Sequence, residues 1–388
     1  MLYVSHFLAY VVFEFESSSC ISKKRQHFRH KITFGDSDIL GLISLFEDLD
    51  LDLDMSSVAK SLLKFVANLR FYKKRIDQGF LLKRIHGGPL EDTPYFSALS
   101  PEDYWPTRQI SSYLLEDFKV VLGSCNGLVC LDNSTKHSLL WNPSTDESKI
   151  IPSDYMRKHT SIARDHCFAG GFGYDSRSDD FKLIRFIYGF GRDSFEYGAL
   201  VFKNHKTELY SLRTNSWKYI DHPGYFILRK PSTYIDGCNY WLAIGKKEHF
   251  VLKFDFADEE LSDHALPRDP DANKYFGLPP NLDFVEFEGS LGVLFFPILG
   301  TEKRFHLWLL TDGESWTKEC EFSVSGVDRP LGFWGRVLLF EGWNRQLMAY
   351  DIDTRDIKKV GVYDFPRKMQ LVPYVESNVS IQGLFGTL

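Results

Sequence analysis

The stretch ELYSLRTNSWKYI, Glu208–Ile220, decides the fold because its pattern recurs later in the chain. It reads as the end of an apolar strand, a polar turn, and a second strand in which polar and apolar residues alternate. YDIDTRDI, Tyr350–Ile357, aligns without a gap with YSLRTNSW, Tyr210–Trp217. Asn, Asp, Ser and Thr favour such turns because their side chains bond back to their own backbone. The two stretches therefore indicate a repeated β unit.

The unit occurs five times, each time as an apolar strand, a second strand, a polar turn and a third strand. Equivalent third-strand positions are 69, 44, 55 and 41 residues apart, at Ser148, Trp217, Leu261, Trp316 and Ile357. Propeller blades repeat every 40 to 50 residues or so, and the long first interval predicts an insertion at 187–205. A sixth blade is predicted from strands before Phe118 and the tail Gln370–Ile381, which would close a ring without exposed edges. The fold class is mainly β and propeller-like; a β-sandwich or irregular all-β domain is the alternative.

Composition favours a β protein and excludes some partners. Aromatic residues make up 15% of the 388 residues, and they fit pleated, half-buried surfaces. The net charge is -6 and no basic run interleaves with aromatics, so nucleic acid is not an expected partner. The six cysteines form no CxxC pair, which predicts free, buried thiols in a reducing compartment, the cytoplasm and/or nucleus.

The N-terminal part differs from the repeats. Residues 1–38 form an atypical segment whose apolar start, Met1–Phe13, lacks a basic region and is too short to span a bilayer, so no membrane partner is expected. Residues 39–90 include Ser56–Ile85, where apolar side chains at spacings of three and four predict a helix. A polar linker is predicted over 91–117.

The sequence contains no recognisable catalytic, metal-binding or phosphate-binding motif. An EF-hand loop from Asp50 would need Gly and Glu where Met55 and Ser61 stand. AGGFGYD, Ala169–Asp175, leads into a strand pattern rather than a helix, so its glycines are predicted to serve tight turns. The chain has neither H-E-x-x-H nor G-x-S-x-G, so it is predicted to be no enzyme and to need no cofactor.

Two alternatives stay open for particular residues. Trp217 and Trp316 occupy matching positions, which favours packing between blades over contact with a ligand. A propeller enzyme or a secreted glycan-binding protein, glycosylated at Asn133 or Asn378, is the alternative from another functional class.

Several motifs resemble, in order, the F-box-associated domain of plant F-box proteins, including the S-locus F-box group. They are GSCNGLVCL…LLWNPSTDESKIIP, FGYDSRSDDFKLIRF, ELYSLRTNSWKYI and YVESNVSI, and the likeness covers about residues 110–383. The resemblance implies a kelch-type β-propeller over 118–383 that binds a protein to be ubiquitinated. It also implies an F-box that binds the Skp-type adaptor of a cullin complex.

Leu45–Ile76 can be laid on the F-box pattern without a gap. The resemblance implies that the adaptor-binding residues are Leu45, Leu49, Leu62, Leu63 and Phe65. The F-box is degenerate, because its two expected prolines are replaced and its first apolar helix carries three aspartates; these departures are Phe46, Val58, Asp50, Asp52 and Asp54.

The predicted function is therefore the substrate-recognition subunit of a Skp–cullin–F-box type E3 ubiquitin ligase. The alternative is a non-ligase β-propeller scaffold that has lost adaptor binding. The target is an unidentified protein, and irregular charged stretches beginning at Arg229, Arg268 and Ser325 are predicted to contact it. Trp141 and Asn142 are predicted to be architectural.

Overall fold

The structure is a computed structural model, and the residues it describes belong to one compact unit, Phe65–Leu388. They are residues 79–87, 92–110, 115–118, 120–133, 137–153, 166–196, 199–221, 224–228, 232–245, 249–269, 281–313, 315–360 and 368–384. The atypical segment 1–38 and the F-box-like segment up to residue 78, including Leu45–Ile76, lie outside the described residues.

These residues form six antiparallel sheets, which we call blades. Blade 1 contains β1 (Gly79–Gly87), β2 (Asp92–Leu99), β3 (Pro106–Ile110) and β25 (Lys368–Tyr374). Blade 2 contains β4 (Val120–Cys125), β5 (Leu128–Asp132), β6 (His137–Trp141) and β7 (Ser148–Pro152). Blade 3 contains β8 (His166–Asp175), β9 (Asp180–Glu196), β10 (Ala199–Ser211) and β11 (Ser216–Ile220).

The remaining blades follow in chain order. Blade 4 contains β12 (Phe226–Ile227), β13 (Thr233–Ile235), β14 (Cys238–Ile244), β15 (His249–Asp255) and β16 (Glu260–Ala265). Blade 5 contains β17 (Leu282–Phe287), β18 (Ser290–Phe295), β19 (Glu302–Thr311) and β20 (Ser315–Ser325). Blade 6 contains β21 (Val327–Trp334), β22 (Val337–Gly342), β23 (Leu347–Asp351) and β24 (Ile357–Val360). A short helix, α1 (Ile381–Leu384), lies in the C-terminal tail.

The blades form a closed six-bladed propeller. Their innermost strands are β25, β4, β8, β13, β17 and β21, and each contacts the next, including β21 with β25. In blade 1 the innermost strand comes from the C-terminal end of the chain, because β25 pairs antiparallel with β1, with Gly79 opposite Tyr374. The prediction of a sixth blade built from both ends of the chain is confirmed.

The repeat predicted from the sequence corresponds to the outer three strands of blades 2 to 6. The five equivalent positions all lie in the outermost strands, where for example Trp217 pairs with Tyr210 and Ile357 with Tyr350. The predicted insertion at 187–205 is a long hairpin: β9 and β10 extend far beyond their partners β8 and β11.

Residues before Phe118 differ from the prediction. The end of the predicted helix, from Gly79, is β1, and the predicted linker contains β2 and β3. Phe80, Leu81 and Leu82 are buried in succession because both faces of β1 are covered within the ring. A continuous apolar run of this kind cannot be distinguished from a buried helix by periodicity alone.

The hydrophobic core lies between neighbouring blades. Phe96 of blade 1 and Trp141 of blade 2 have ring centroids 5.2 Å apart. The same distance joins Phe186 of blade 3 to Trp241 of blade 4. Aromatic pairs at this separation add about 0.5–1.5 kcal/mol beyond burial of their area. The aromatic residues that the composition emphasised therefore hold blade to blade.

The glycines of AGGFGYD lie inside β8 and allow close packing, which corrects the prediction that they serve tight turns. A Cβ on Gly171 would lie 2.6 Å from the ring of Trp241, and one on Gly173 would lie 2.2 Å from the ring of Phe256. Blade 4 packs its aromatic rings directly on this backbone. Side chains at these two positions would push the blades apart.

Antiparallel order gives the ring two different faces. One, the short-turn face, carries the turns between the first and second and between the third and fourth strands of the blades, such as 126–127, 142–147 and 288–289. The other, the long-connection face, carries the links from second to third strands and from blade to blade, such as 296–301 and 343–346.

Candidate functional site

The turn 142–147 on the short-turn face holds the C-terminal tail. The Asn142 side chain is fully buried, and its Nδ2 donates to the carbonyl oxygens of Ser377, at 3.0 Å, and Val379, at 2.8 Å. Its Oδ1 accepts a hydrogen bond from the Ser144 amide at 2.9 Å. Asn142 thus orders its own turn and receives the tail at the same time.

Glu147, in the same turn, receives the start of α1. Its Oε2 accepts hydrogen bonds from the Ile381 amide at 2.7 Å and from the Ser380 hydroxyl at 3.0 Å. Ile381 is buried among side chains of blades 2 and 3. The predicted architectural role of Trp141 and Asn142 is confirmed, since Trp141 lies in the core beside Phe96. We call residues 375–384 the tail latch.

The two tryptophans at matching positions join neighbouring blades. The indole N–H of Trp217, in blade 3, donates to the Pro152 carbonyl at the end of blade 2, at 2.9 Å. The indole N–H of Trp316, in blade 5, donates to the Ala265 carbonyl at the end of blade 4, at 2.8 Å. This confirms the prediction that they pack between blades.

A cavity of about 1040 Å³ lies along the inner strands. Among the described residues, its lining includes the acidic residues Asp236, Asp283, Glu286 and Glu288 and one arginine, Arg329. Arg329 Nε donates to Glu341 at 2.9 Å. Among the described residues, no group of three or more His, Cys, Asp or Glu side chains is placed to hold a metal ion.

Four cysteines whose side chains the structure describes are free. Cys125, Cys130 and Cys238 are buried, and Cys320 is half-buried. Burial raises the pKa of the Cys238 thiol to about 11 and that of Cys320 to about 11. Because the thiolate is the nucleophile, these cysteines are poorly suited to nucleophilic chemistry near neutral pH.

The long-connection face exposes large apolar side chains. In the described part of the chain, the three most exposed large hydrophobic residues are Leu299 at 84%, Ile298 at 55% and Trp343 at 50%. Ile298 and Leu299 lie between β18 and β19, and Trp343 lies between β22 and β23, so all three belong to this face. Sequence analysis missed them. The available signal was large apolar residues at turn positions, PILG and GWNR.

One of the three predicted target-contacting stretches, that from Arg268, begins on the long-connection face, where it connects blades 4 and 5. Arg229 lies outside the described residues, and the later part of its stretch is β13 of blade 4 and the turn 236–237. Most of the stretch from Ser325 is instead β21, which runs inward to the short-turn face. Its extended pairing accommodates Pro330 through irregularities in register with β22.

The connection between blades 4 and 5 is fixed at its start. Asp269 is 4% exposed, and its Oδ2 lies 2.7 Å from Nδ1 of His306. The same oxygen accepts a hydrogen bond from the Trp308 indole at 2.8 Å. Blade 5 therefore sets where this connection leaves the ring.

The adaptor-binding residues implied by the sequence lie outside the described residues, and their contacts stay a prediction. They are Leu45, Leu49, Leu62, Leu63 and Phe65. Among the described residues, no helix has the length and apolar character needed to cross a membrane.

Residues 108–381 match the family described as the F-box associated beta propeller domain. The chain belongs to this family. Relatives of this F-box associated chain include "F-box protein At3g07870" of Arabidopsis thaliana, which is 25% identical over 84% of this chain and 89% of that protein. "F-box protein CPR1" of Arabidopsis thaliana is 27% identical over 63% of this chain and 64% of that protein.

Solved structures similar to this F-box associated chain include TolB from Acinetobacter baumannii. TolB is 9% identical to this chain. The match covers 76% of this chain and 66% of the TolB chain, with a TM-score of 0.45. The Dos1 propeller is 12% identical to this chain. The match covers 69% of this chain and 66% of the Dos1 chain, with a TM-score of 0.33.

Proposed function

We propose that this protein is the substrate-recognition subunit of a Skp–cullin–F-box type E3 ubiquitin ligase. The observation that carries the proposal is the family match over 108–381, together with relatives named as F-box proteins over most of the chain. A Skp-type adaptor binds the N-terminal F-box-like segment, and the propeller binds the target.

The topology of the ring supports the long-connection face as the target-binding face. The chain enters the propeller at Gly79, opposite Tyr374, at the short-turn face. The tail latch lies on that same face, against the turn 142–147. The long-connection face carries the three most exposed large apolar side chains of the described residues and the longer links, where sequence can vary at little cost to stability.

The subunit acts by proximity and makes or breaks no bond itself. Holding a target beside a ubiquitin donor raises its effective concentration into the range of millimolar for short, flexible connections. No cofactor takes part in this role. The proposed site of action is the cytoplasm and/or nucleus, where the free thiols stay reduced.

Co-purification of the full chain with a Skp-type adaptor tests this function. We expect Leu62→Asp with Leu63→Asp to abolish adaptor binding, because unpaired carboxylates would enter an apolar interface. The matched control is Ile298→Asp with Leu299→Asp, which places the same charges on the propeller and should leave adaptor binding unchanged. A wild-type chain that does not bind the adaptor would contradict the ligase role and favour the non-ligase scaffold.

A further inference from the structure

The cavity of about 1040 Å³ along the inner strands runs from one face of the ring to the other. At the long-connection face its lining includes Asn281, just before β17, and Phe296, just after β18. At the short-turn face it includes Gly127 and Glu288, in the turns that follow β4 and β17. A molecule held at the long-connection face can therefore extend into the centre of the ring.

Side-chain hydroxyls join neighbouring inner strands around this cavity. β4 is joined to β25, because the Ser124 hydroxyl donates to the Pro373 carbonyl at 2.6 Å. The Ser232 hydroxyl, directly before β13, donates to a β4 carbonyl at 2.8 Å. The Thr233 hydroxyl, in β13, donates to a β17 carbonyl at 3.1 Å. The strands β25, β4, β13 and β17 are thereby held side by side.

β21 completes the wall of the cavity. Its Phe333 packs against Phe287 of β17, with ring centroids 4.8 Å apart. Its Arg329 donates to the Met369 carbonyl of β25. The wall is therefore continuous around the cavity, so a protein chain can enter only with one of its ends first.

Each of these five strands pairs on one side only, with the second strand of its own blade. The backbone amides and carbonyls of its other edge face the centre of the ring, and such an edge can pair with another extended chain. β17 offers the most regular edge, because its register with β18 has no shift, whereas β4 has a shift in register and β21 and β25 contain Pro330 and Pro373. Five of its six residues, Leu282–Glu286, line the cavity.

The cavity has room for one extended chain. β17 has six residues, which span about 20 Å at about 3.3 Å per residue. A cavity of about 1040 Å³ over that length has a cross-section of about 50 Å². One extended chain in a stack of sheets occupies about 4.8 by 10 Å, which is also about 50 Å².

The charges around the cavity favour an ammonium group over a carboxylate. Arg329, the one arginine among the described lining residues, is paired with Glu341 at 2.9 Å. Arg336, which lies 3.2 Å from the lining residue Glu288, is also paired with Asp353 at 2.7 Å. Both guanidinium groups are therefore already matched by carboxylates, and a carboxylate brought in by a ligand would gain little from either of them. An ammonium group, by contrast, can donate to the carbonyl oxygens of the strand edges.

We propose that this cavity binds the N-terminus of the target protein, with the α-amino group inside the ring and the extended backbone paired with β17. The α-ammonium group has N–H donors only, and the carbonyl oxygens of the inner strands accept from them. The C-terminus of a target would instead bring a carboxylate among acidic lining residues, where like charges repel. The proposal rests on the proposed function, in that it says which part of the target the propeller recognises.

Peptides with chemically defined ends test the site on the purified full chain. The probe is a pool of short random peptides in three forms: free α-amine with an amidated C-terminus, N-acetylated with an amidated C-terminus, and N-acetylated with a free carboxylate. Bound peptides are separated by size exclusion, identified by mass spectrometry and measured individually by fluorescence anisotropy. We expect them to come mainly from the first form. Acetylation of a recovered peptide should weaken its binding about tenfold or more, because it removes the charged donor.

Gln370→Arg tests where the peptides bind. Gln370 is a half-buried residue of β25 that lines the cavity, so an added guanidinium should repel the α-ammonium group and weaken free-amine peptides about fivefold or more. The matched control is Gln109→Arg, which makes the same change at an exposed residue on the outermost strand of the same blade and should leave the affinity unchanged. Melting temperatures show whether both variants are folded. The comparison of free and acetylated peptides on the wild-type chain needs no variant.

Three results would overturn the site: no peptide recovered from the free-amine form, equal affinity of free and acetylated peptides, or a folded Gln370→Arg variant that binds free-amine peptides as tightly as the wild type. Recovery mainly of free-carboxylate peptides would overturn the choice of the N-terminus. Adaptor binding reports separately on the ligase role. If the adaptor fails to bind while peptide binding depends on the free amine, the ligase role is contradicted and the cavity site stands.

Discussion

Lys182 connects blades 3 and 4 through two carboxylates. Its Nζ lies 2.7 Å from Asp175 and 2.8 Å from Glu259, with side-chain exposures of 7% for Lys182 and 3% for Asp175. Burial by itself raises the pKa of Asp175, but hydrogen bonds from Lys182 and Ser178 outweigh it and hold that pKa well below its usual value. Burial lowers the pKa of Lys182, and the two carboxylates outweigh this, so its pKa is raised.

The stabilisation from Lys182 and its two carboxylates is lost at both low and high pH. A depressed carboxyl pKa stabilises the fold above the unfolded value near ~4, and this is lost as pH falls through the folded value. A raised lysine pKa stabilises the fold below the unfolded value near ~10, and this is lost as pH rises through the folded value. Between about pH 5 and pH 9 both contributions are present.

Lys182→Met should lower the free energy of unfolding by about 3–5 kcal/mol at pH 7, because it leaves buried Asp175 without its cation. Denaturant unfolding at pH 7 and at pH 4 measures the effect. The difference from wild type should shrink at pH 4 as the carboxyl takes up a proton; a difference that is equal at both pH values would contradict this. Arg177→Met is the control and should change little, since Arg177 and Asp258 join the same blades with side chains 67% and 49% exposed.

At the scale of elements, the side-chain amide of Asn142 joins the tail latch to the turn 142–147. Asn142→Ala removes two hydrogen bonds to tail carbonyls and one within the turn, all of them buried or half-buried. We expect a loss of about 1–3 kcal/mol in the free energy of unfolding and faster hydrogen exchange at the Ile381 amide. Asn378→Ala is the matched control, because Asn378 is an exposed residue of the tail itself. Equal effects of the two substitutions would contradict the role of Asn142.

The outer strands were predictable and the inner strands were not. Outer strands alternate polar and apolar residues because one side faces solvent, and their turns carry Asn, Asp, Ser or Thr, as at Thr214 and Thr354. Inner strands lack this alternation: β8 contains three glycines, two of them where blade 4 packs on it, and β21 contains Pro330. Glycine and proline are both depleted in strands in general. Local propensity therefore disfavours β8 and β21 as strands, and they form because of their packing within the ring.

The exposed apolar residues of the long-connection face were hidden for a different reason. Ile298 and Leu299 follow the apolar run LFFP and read as its continuation, although the run ends in the core and these two side chains reach solvent. Burial of neighbouring residues is decided by where β18 ends, and element ends are the least predictable feature of a sequence. Trp343 comes onto the same face through the packing of blade 6 against blade 5, where β21 contacts β17.

At the scale of the whole molecule, β25 decides whether the ring is closed. Met369, Leu371, Val372 and Tyr374 are buried, and each contributes about 1.5–3 kcal/mol by burial. Their sum is comparable with the entire stability of an ordinary domain, about 5–15 kcal/mol. A chain that ends at residue 367 should therefore lose its cooperative thermal transition, as calorimetry would show.

A chain that ends at residue 374 keeps β25 and loses the tail latch together with residues 385–388, so it provides the comparison. It should remain folded with a lower melting temperature, because it loses the buried Ile381 and the hydrogen bonds to Asn142. Identical melting curves for the two truncated chains would contradict the closing role of β25.

Blade 1 can be completed only late in synthesis, because its strands come from both ends of the propeller sequence. Lys368, where β25 begins, follows Gly87, where β1 ends, by 281 residues. At a translation rate of about 5–20 residues per second, β1 waits roughly 15 to 55 s for its partner strand. During that time one edge of β1 lacks its native partner, and an unpaired edge invites pairing with other chains. Slowing translation in the last third of the message should increase chaperone association and aggregation of newly made chains, with the mature protein left unchanged in stability.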